Sequence, residues 1–200
     1  MKKNVHKACR RYGIKLCQSE KCPVLRRNYP PGVHGNKGFK RLTNYGKQLA
    51  EKQKAKYIYG LRERQFRVYF DKALKKIGKT GEILFNMLEN RLDNTVFRLG
   101  FGKSRRHARQ IVGHGHIEVN GKKVDIPSYQ VKVGDVISIR AKDLKKPLFE
   151  NLPTELDKKE LMSWLFLDKK ELKGKVTGAP NFSDVMLSVD WQSIVEFYSK

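Results

Sequence analysis

The stretch SRRHARQIVGHGHIEVNGKKV (104–124) changes its apolar period from helical to strand-like across two glycines, so a helix should lead directly into a strand here. Ser104 is a good N-cap, Ala108, Ile111 and Val112 form a small apolar face, and Gly113 stands where a helix would end. At about 100° per residue, Arg105 and Arg109 share one side of this helix with Arg106 beside them. Ile117 and Val119 then alternate into Asn120-Gly121, the strongest two-residue hairpin signal, followed by Lys122 and Lys123. Val131, Val133, Val136, Ile137 and Ile139, broken by Gly134-Asp135, continue a small sheet. One positive surface should therefore span a helix and a hairpin, with no deep pocket between them.

The residues before it read as helical. Thr43 can cap a polar, basic helix that closes at Gly60. Phe66, Tyr69, Phe70, Ala73, Leu74 and Ile77 make one apolar stripe on a helix closed by Gly78. Leu84, Met87, Leu88, Thr95, Val96 and Leu99 repeat the pattern in a second helix ending near Gly100, and the two stripes can cover each other. Residues 1–41, rich in Lys, Arg, Gly and Pro, show no apolar period and read as an arm. The fold class is α+β: a helical domain, an inserted small α/β domain and an extended basic arm.

The formal charge of +23 exceeds what solubility requires and calls for a polyanionic partner. It is unevenly spread. Residues 1–64 hold 18 basic against 3 acidic residues, 65–140 hold 15 against 7, and 141–200 hold 10 of each, so the first two thirds should face the polyanion. A hydrophobic fraction of 39% excludes a disordered polycation. No run approaches the roughly 20 apolar residues of a membrane span, and the first residues lack the apolar core of a secretory signal.

The histidines of 104–124 raise a metal or acid–base alternative. His114 and His116 flank one glycine, and His107 has only arginines for helical neighbours, so no thiolate or carboxylate converges with them. Hydrogen bonding to phosphate or ribose suits them better. Metal ligation fits elsewhere. Cys17-x4-Cys22 and His6-x2-Cys9 form two pairs of soft or borderline donors, the pattern of a structural zinc site. Three thiolates and an imidazole suit an iron–sulfur cluster as well, and unliganded thiols are the third possibility. An odd number of cysteines argues against a disulfide framework.

The segments YPPGVHG (29–35), LAEKQKAKYIYG (49–60), RERQFR (62–67), RLDNTVFRLGF (91–101), 104–137 and IVEFYSK (194–200) resemble, collinearly and over essentially the whole chain, the bacterial-type small-subunit ribosomal protein S-four family. The stretch 141–193 resembles it less. The resemblance implies a cytoplasmic, non-enzymatic constituent of the small ribosomal subunit that nucleates assembly on a helix junction in the 5′ domain of 16S-type rRNA. It implies contact with mRNA near the entry channel, with a contribution to accuracy, and proteins S-three and S-five as neighbours.

On this reading the organisation is an arm at 1–41, a helical domain at 42–90 completed by 156–200, and an RNA-binding domain at 91–155. The rRNA surface takes in Arg10, Arg11, Arg26, Arg27, Lys52, Lys54, Lys56, Arg91, Lys103, Ser104, Arg105, Arg106, Arg109, His114, His116, Asn120, Lys122 and Lys123. Lys37, Lys40 and Arg41 stand on the mRNA side. Some family members carry two cysteine pairs in the arm, and here His6 replaces the first cysteine. Arg62 likewise stands where a small polar cap is usual. An RNA-modifying enzyme is the competing class, but the chain offers neither a Gly-rich phosphate loop nor paired carboxylates for one.

Overall fold

The computed structural model describes residues 5–17, 19–144, 146–150, 152, 156, 160–169, 171–182, 184–185 and 188–199. Among them are seven α-helices and one five-stranded antiparallel sheet, so the α+β class holds. The chain divides into two units, one reaching Ile83 and including the C-terminal helix, the other beginning at Leu84 and holding the sheet.

In the first unit, α1 (Val5–Tyr12) lies in the arm. Helix α2 (Asn44–Tyr59) starts where Thr43 accepts a hydrogen bond from the Gly46 N–H, and it stops at Gly60 in the left-handed conformation. Helix α3 (Glu63–Leu74) is capped despite Arg62, because the Gln65 side chain reaches back to accept from the Arg62 backbone N–H at 3.2 Å. Phe66, Phe70 and Ala73 are buried as their spacing requires, but the helix ends before Gly78, leaving Leu74 half exposed and Ile77 fully so. The apolar side of α3 is covered by the last helix, α7 (Trp191–Tyr198), whose Tyr198 ring stacks on Phe70 at 4.5 Å.

One carboxylate ties these helices together. Glu63 accepts hydrogen bonds from Lys52 at 2.7 Å, from Lys56 and from the Tyr198 hydroxyl at 2.9 Å. Burial alone would raise its pKa, but these three donors outweigh it and hold the carboxyl down at about 2, against an ordinary 4.5. A depressed pKa contributes stability above the unfolded value and loses it as pH falls from about 4.5 through about 2. The Glu63 side chain is 45% exposed, so screening limits this contribution to about 1 kcal/mol. Urea titrations at pH 6 and pH 3 should show Glu63→Gln destabilising at pH 6 and losing most of that difference at pH 3. An equal difference at both values would mean that the glutamate's charge is irrelevant.

The apolar run expected as one helix is two, α4 (Thr80–Glu89), which begins in the first unit and continues into the second, and α5 (Leu92–Leu99), which lies in the second. The break has a backbone cause. Arg91 is extended and bridges Gln130, while the first N–H groups of α5 donate to the carbonyls of Tyr129, at 2.8 Å, and Pro127. The loop 127–131 thus supplies the acceptors that a continuous helix would have found within itself.

Helix α6 (Arg105–Gly113) begins at Ser104, whose Oγ accepts from the His107 N–H. The left-handed exit is at Gly115 and not at Gly113. Strands β1 (Ile117–Val119) and β2 (Lys122–Lys123) form the expected hairpin, with Asn120 and Gly121 both at positive φ. Strand β3 (Val136–Ile139) pairs with β1, but no strand forms at 131–133, where Val133 is exposed.

Strands β4 (Leu165–Asp168) and β5 (Lys173–Val176) complete the order β2-β1-β3-β5-β4. The stretch from 156, expected to pack as one piece on the helical domain, is therefore split: 165–176 extends the sheet, and Trp191–Tyr198 joins α2. Ile117, Val119, Ile137, Ile139, Leu165, Leu167 and Val176 bury one face of the sheet. Leu99 of α5 seats on Gly174, where a Cβ would come within 2.5 Å of it.

Candidate nucleic-acid interface

Helix α6 carries the densest charge of the sheet-bearing unit, and α5 decides how its arginines stand. Asp93 receives a two-pronged pair from the buried Arg91, at 3.0 and 2.9 Å, and a further pair from Arg109 at 2.7 Å. Glu89 takes a second fork from Arg98, at 3.0 and 2.9 Å, and accepts from the Asn94 amide at 2.7 Å. Asn94 in turn accepts from Arg105 Nε at 2.7 Å, and the Arg105 guanidinium lies 4.8 Å from the centre of the Phe97 ring.

No acid lies along α6 itself; Asp93 of α5 balances the charge of Arg109, whereas the neutral Asn94 amide holds Arg105 without balancing it. The result is preorganisation: Asn94 fixes Arg105 at Nε, Asp93 fixes Arg109 at both Nε and Nη2, and both side chains stay partly exposed. Arg106 is exposed beside them, and Lys103 at the start of the helix and Lys122 and Lys123 on the hairpin are exposed as well.

Other residues assigned to the rRNA surface have internal partners. Arg91 is only 4% exposed and serves Asp93. Asn120 closes the hairpin, donating to Asp135 and accepting from the Val136 N–H. His116 is largely covered, 3.0 Å from Asp143 and edge-on to Phe149, whereas His114 is exposed. Lys146 and His116 hold the Asp143 carboxyl down at about 2. The question raised by the paired histidines thus has a divided answer: one is a packing residue and one faces solvent.

In the first unit Lys52, Lys54 and Lys56 of α2 are buried, whereas Lys47 is exposed. Lys52 and Lys56 serve Glu63, while Lys54 pairs with Glu51 at 2.5 Å and donates to the Ser188 carbonyl. Arg10 donates to the carbonyls of Tyr29 and Pro30 and lies over the Tyr29 ring, so it shapes the arm. Arg11, Arg26, Arg27, Lys37, Lys40 and Arg41 are exposed or nearly so.

The arm also gathers the metal candidates. His6 and Cys9 stand one turn apart on α1, and ligand atoms of His6, Cys17 and Cys22 lie within 4.8 Å of one another. Cys9 is fully buried, its Sγ accepting from the Leu16 N–H at 3.2 Å, and it interacts with both other thiols. Burial opposes ionisation of all three. At Cys22, hydrogen bonding from His6 and the Val24 backbone outweighs burial and brings the thiol down to about 7, whereas Cys17 is pushed up to about 12.

Sequence reasoning missed Glu63, Glu89, Asp93 and Asn94. The available signal was a run of polar residues, Asp93 and Asn94, inside an otherwise apolar helix, since such groups are buried only when paired.

Comparison with known proteins adds independent findings. Residues 1–89 match the family model described as ribosomal protein S4/S9 N-terminal domain, and residues 90–137 match the S4 domain. Similar proteins include small ribosomal subunit protein uS4A of Alkaliphilus metalliredigens, 49% identical over 98% of this chain and 97% of the relative. The uS4 protein of Thermus thermophilus is 46% identical over the same shares. That of Dictyoglomus turgidum is 52% identical over 96% of this chain and 95% of the relative.

Proposed function

Because the chain belongs to the uS4 family of small-subunit ribosomal proteins, we propose that it binds the rRNA of that subunit through the α6 face and nucleates assembly on a helix junction of the 5′ domain. It is a structural constituent of the small ribosomal subunit and not an enzyme. The observation that carries the RNA reading is the set of arginines on α6, oriented from behind by Asp93 and Asn94. A folded junction is recognised through its shape, phosphates and 2′-hydroxyls, and fixed guanidinium groups suit such recognition. The exposed Arg11, Arg26 and Arg27 extend contact along the arm, Lys103, Lys122, Lys123 and His114 extend it around α6, and Lys37, Lys40 and Arg41 face mRNA at the entry side. Proteins S-three and S-five are the proposed neighbours, and a contribution to accuracy follows from that position.

Filter binding of a 5′-domain transcript over a range of salt tests this. Affinity should fall by several powers of ten between 50 and 200 mM salt, as about 6–10 displaced phosphate counterions require. A flat response would exclude the reading.

The arm is proposed to hold zinc through His6, Cys9, Cys17 and Cys22, with an iron–sulfur cluster on the same donors as the alternative. The donors fit: all four are soft or borderline, and three have ligand atoms already grouped. Such a group would clamp a segment whose buried apolar residues are few. Elemental analysis of anaerobically purified protein should find about one zinc per chain, or iron with labile sulfide. Cys17→Ser with Cys22→Ser should abolish either. Metal-free wild-type protein would remove the site.

A further inference from the structure

In the first unit a groove of about 900 Å³ runs between the arm and one side of α2. Its surfaces are flat and apolar: Tyr12 and Tyr57, with ring centres 6.4 Å apart, then Pro30, Pro31 and Phe39. Its rim is cationic, with Arg11, Lys40 and Lys47 exposed and none of them in an ion pair among the described residues. The acid within it, Glu51, is already neutralised by Lys54 and accepts a further hydrogen bond from the Asp190 N–H. The Gln53 amide also lines the groove and has no hydrogen-bond partner among the described residues.

The wall is fixed in shape. Gly35 packs so tightly on the Pro30 carbonyl that a Cβ there would stand 1.9 Å from the oxygen. Phe39 lies over Gly13, where a Cβ would be 3.1 Å from the ring. A preformed slot with ring and proline faces, a positive rim and one amide matches neither a protein core nor a duplex backbone. It matches an unstacked base, which needs planar apolar faces, cations for its flanking phosphates and a donor–acceptor pair for its edge.

We propose that this groove takes a splayed-out, single-stranded nucleotide of the rRNA, its base held among Tyr12, Tyr57 and Phe39 and its phosphates met by Arg11 and Lys47. The inference rests on the rRNA-binding reading above and adds a base-holding site separate from the α6 face.

The test uses full-length, metal-replete protein with Phe39 replaced by the photocrosslinker p-benzoylphenylalanine, bound to a 5′-domain transcript. Irradiation should attach it to one or two adjacent unpaired nucleotides. Ala50→Trp, which fills the groove without changing charge, should remove that crosslink and weaken binding about tenfold, the order of one lost base–aromatic stack. Should Ala50→Trp fail to fold, Lys47→Ala at the exposed rim should weaken the crosslink while leaving the circular dichroism intact. Crosslinks scattered over paired regions and unchanged by Ala50→Trp or Lys47→Ala would overturn the proposal. So would crosslinking only to a neighbouring protein in the reconstituted subunit, or no crosslink to an RNA that is nevertheless bound. Failure of the wild-type chain to bind the transcript at all would instead remove the rRNA reading, and the groove's role with it.

Discussion

Replacing Asp93 by alanine should cost the sheet-bearing unit about 3–5 kcal/mol, most of a small domain's stability. Asp93 is 2% exposed and forms ion pairs with both Arg91, itself 4% exposed, and Arg109. Without it Arg91 keeps a buried charge that has lost its countercharge, and the cost comes from that loss more than from the broken hydrogen bonds. Urea denaturation of full-length protein would show the loss in the transition that involves the sheet. Replacing the pair together, Arg91→Met with Asp93→Leu, should recover much of the stability, because an apolar pair avoids the desolvation that the ionic pair must overcome. If Asp93→Ala unfolds no more easily than wild type, the pair is not a structural element of this unit. The double variant separates two roles of Asp93: it should fold, yet hold Arg109 less well.

Much of the fold was legible in local chemistry. Thr43 and Ser104 act through hydrogen bonds from their own hydroxyls and the Asn120-Gly121 pair through the positive φ that both residues tolerate, and all three lie where their spacing put them. What remained hidden depends on partners distant in sequence. The α4–α5 break is caused by carbonyls more than thirty residues on, so the apolar period runs through it without a mark. Strands β4 and β5 lack a two-residue turn signal such as the Asn120-Gly121 that marks β1 and β2, and they are identified by the pairing of β5 with β3 and of β4 with β5.

The basic surface was legible in its total and not in its members. Net charge reports how many lysines exist, whereas Lys52, Lys54 and Lys56 face Glu63 and Glu51, acids that a helix periodicity cannot place. The same limit applies to His116, whose partner Asp143 lies 27 residues away.

Changing Arg105, Arg106 and Arg109 together to alanine should weaken binding to the 5′-domain transcript by about a hundredfold or more, since hydrogen bonds to charged groups are worth roughly 1.5–3 kcal/mol each. The fold should persist. Asp93 keeps Arg91 and Glu89 keeps Arg98, so removal of Arg109 and Arg105 leaves no buried acid without a partner. Circular dichroism and the urea midpoint check that point. The slope of log affinity against log salt should also become shallower by about 2–3, one displaced counterion for each arginine that met a phosphate. Asn94→Ala is the informative companion. It removes no charge but takes away the acceptor that orients Arg105 at 2.7 Å, along with an amide that donates to Glu89, so in variant protein whose circular dichroism is intact it should lower affinity while leaving the salt slope unchanged. A shallower slope with Asn94→Ala would show that orientation decides whether Arg105 reaches phosphate at all. Wild-type affinity in the folded triple variant would move the rRNA off α6, and the exposed arm cations would then have to carry the binding.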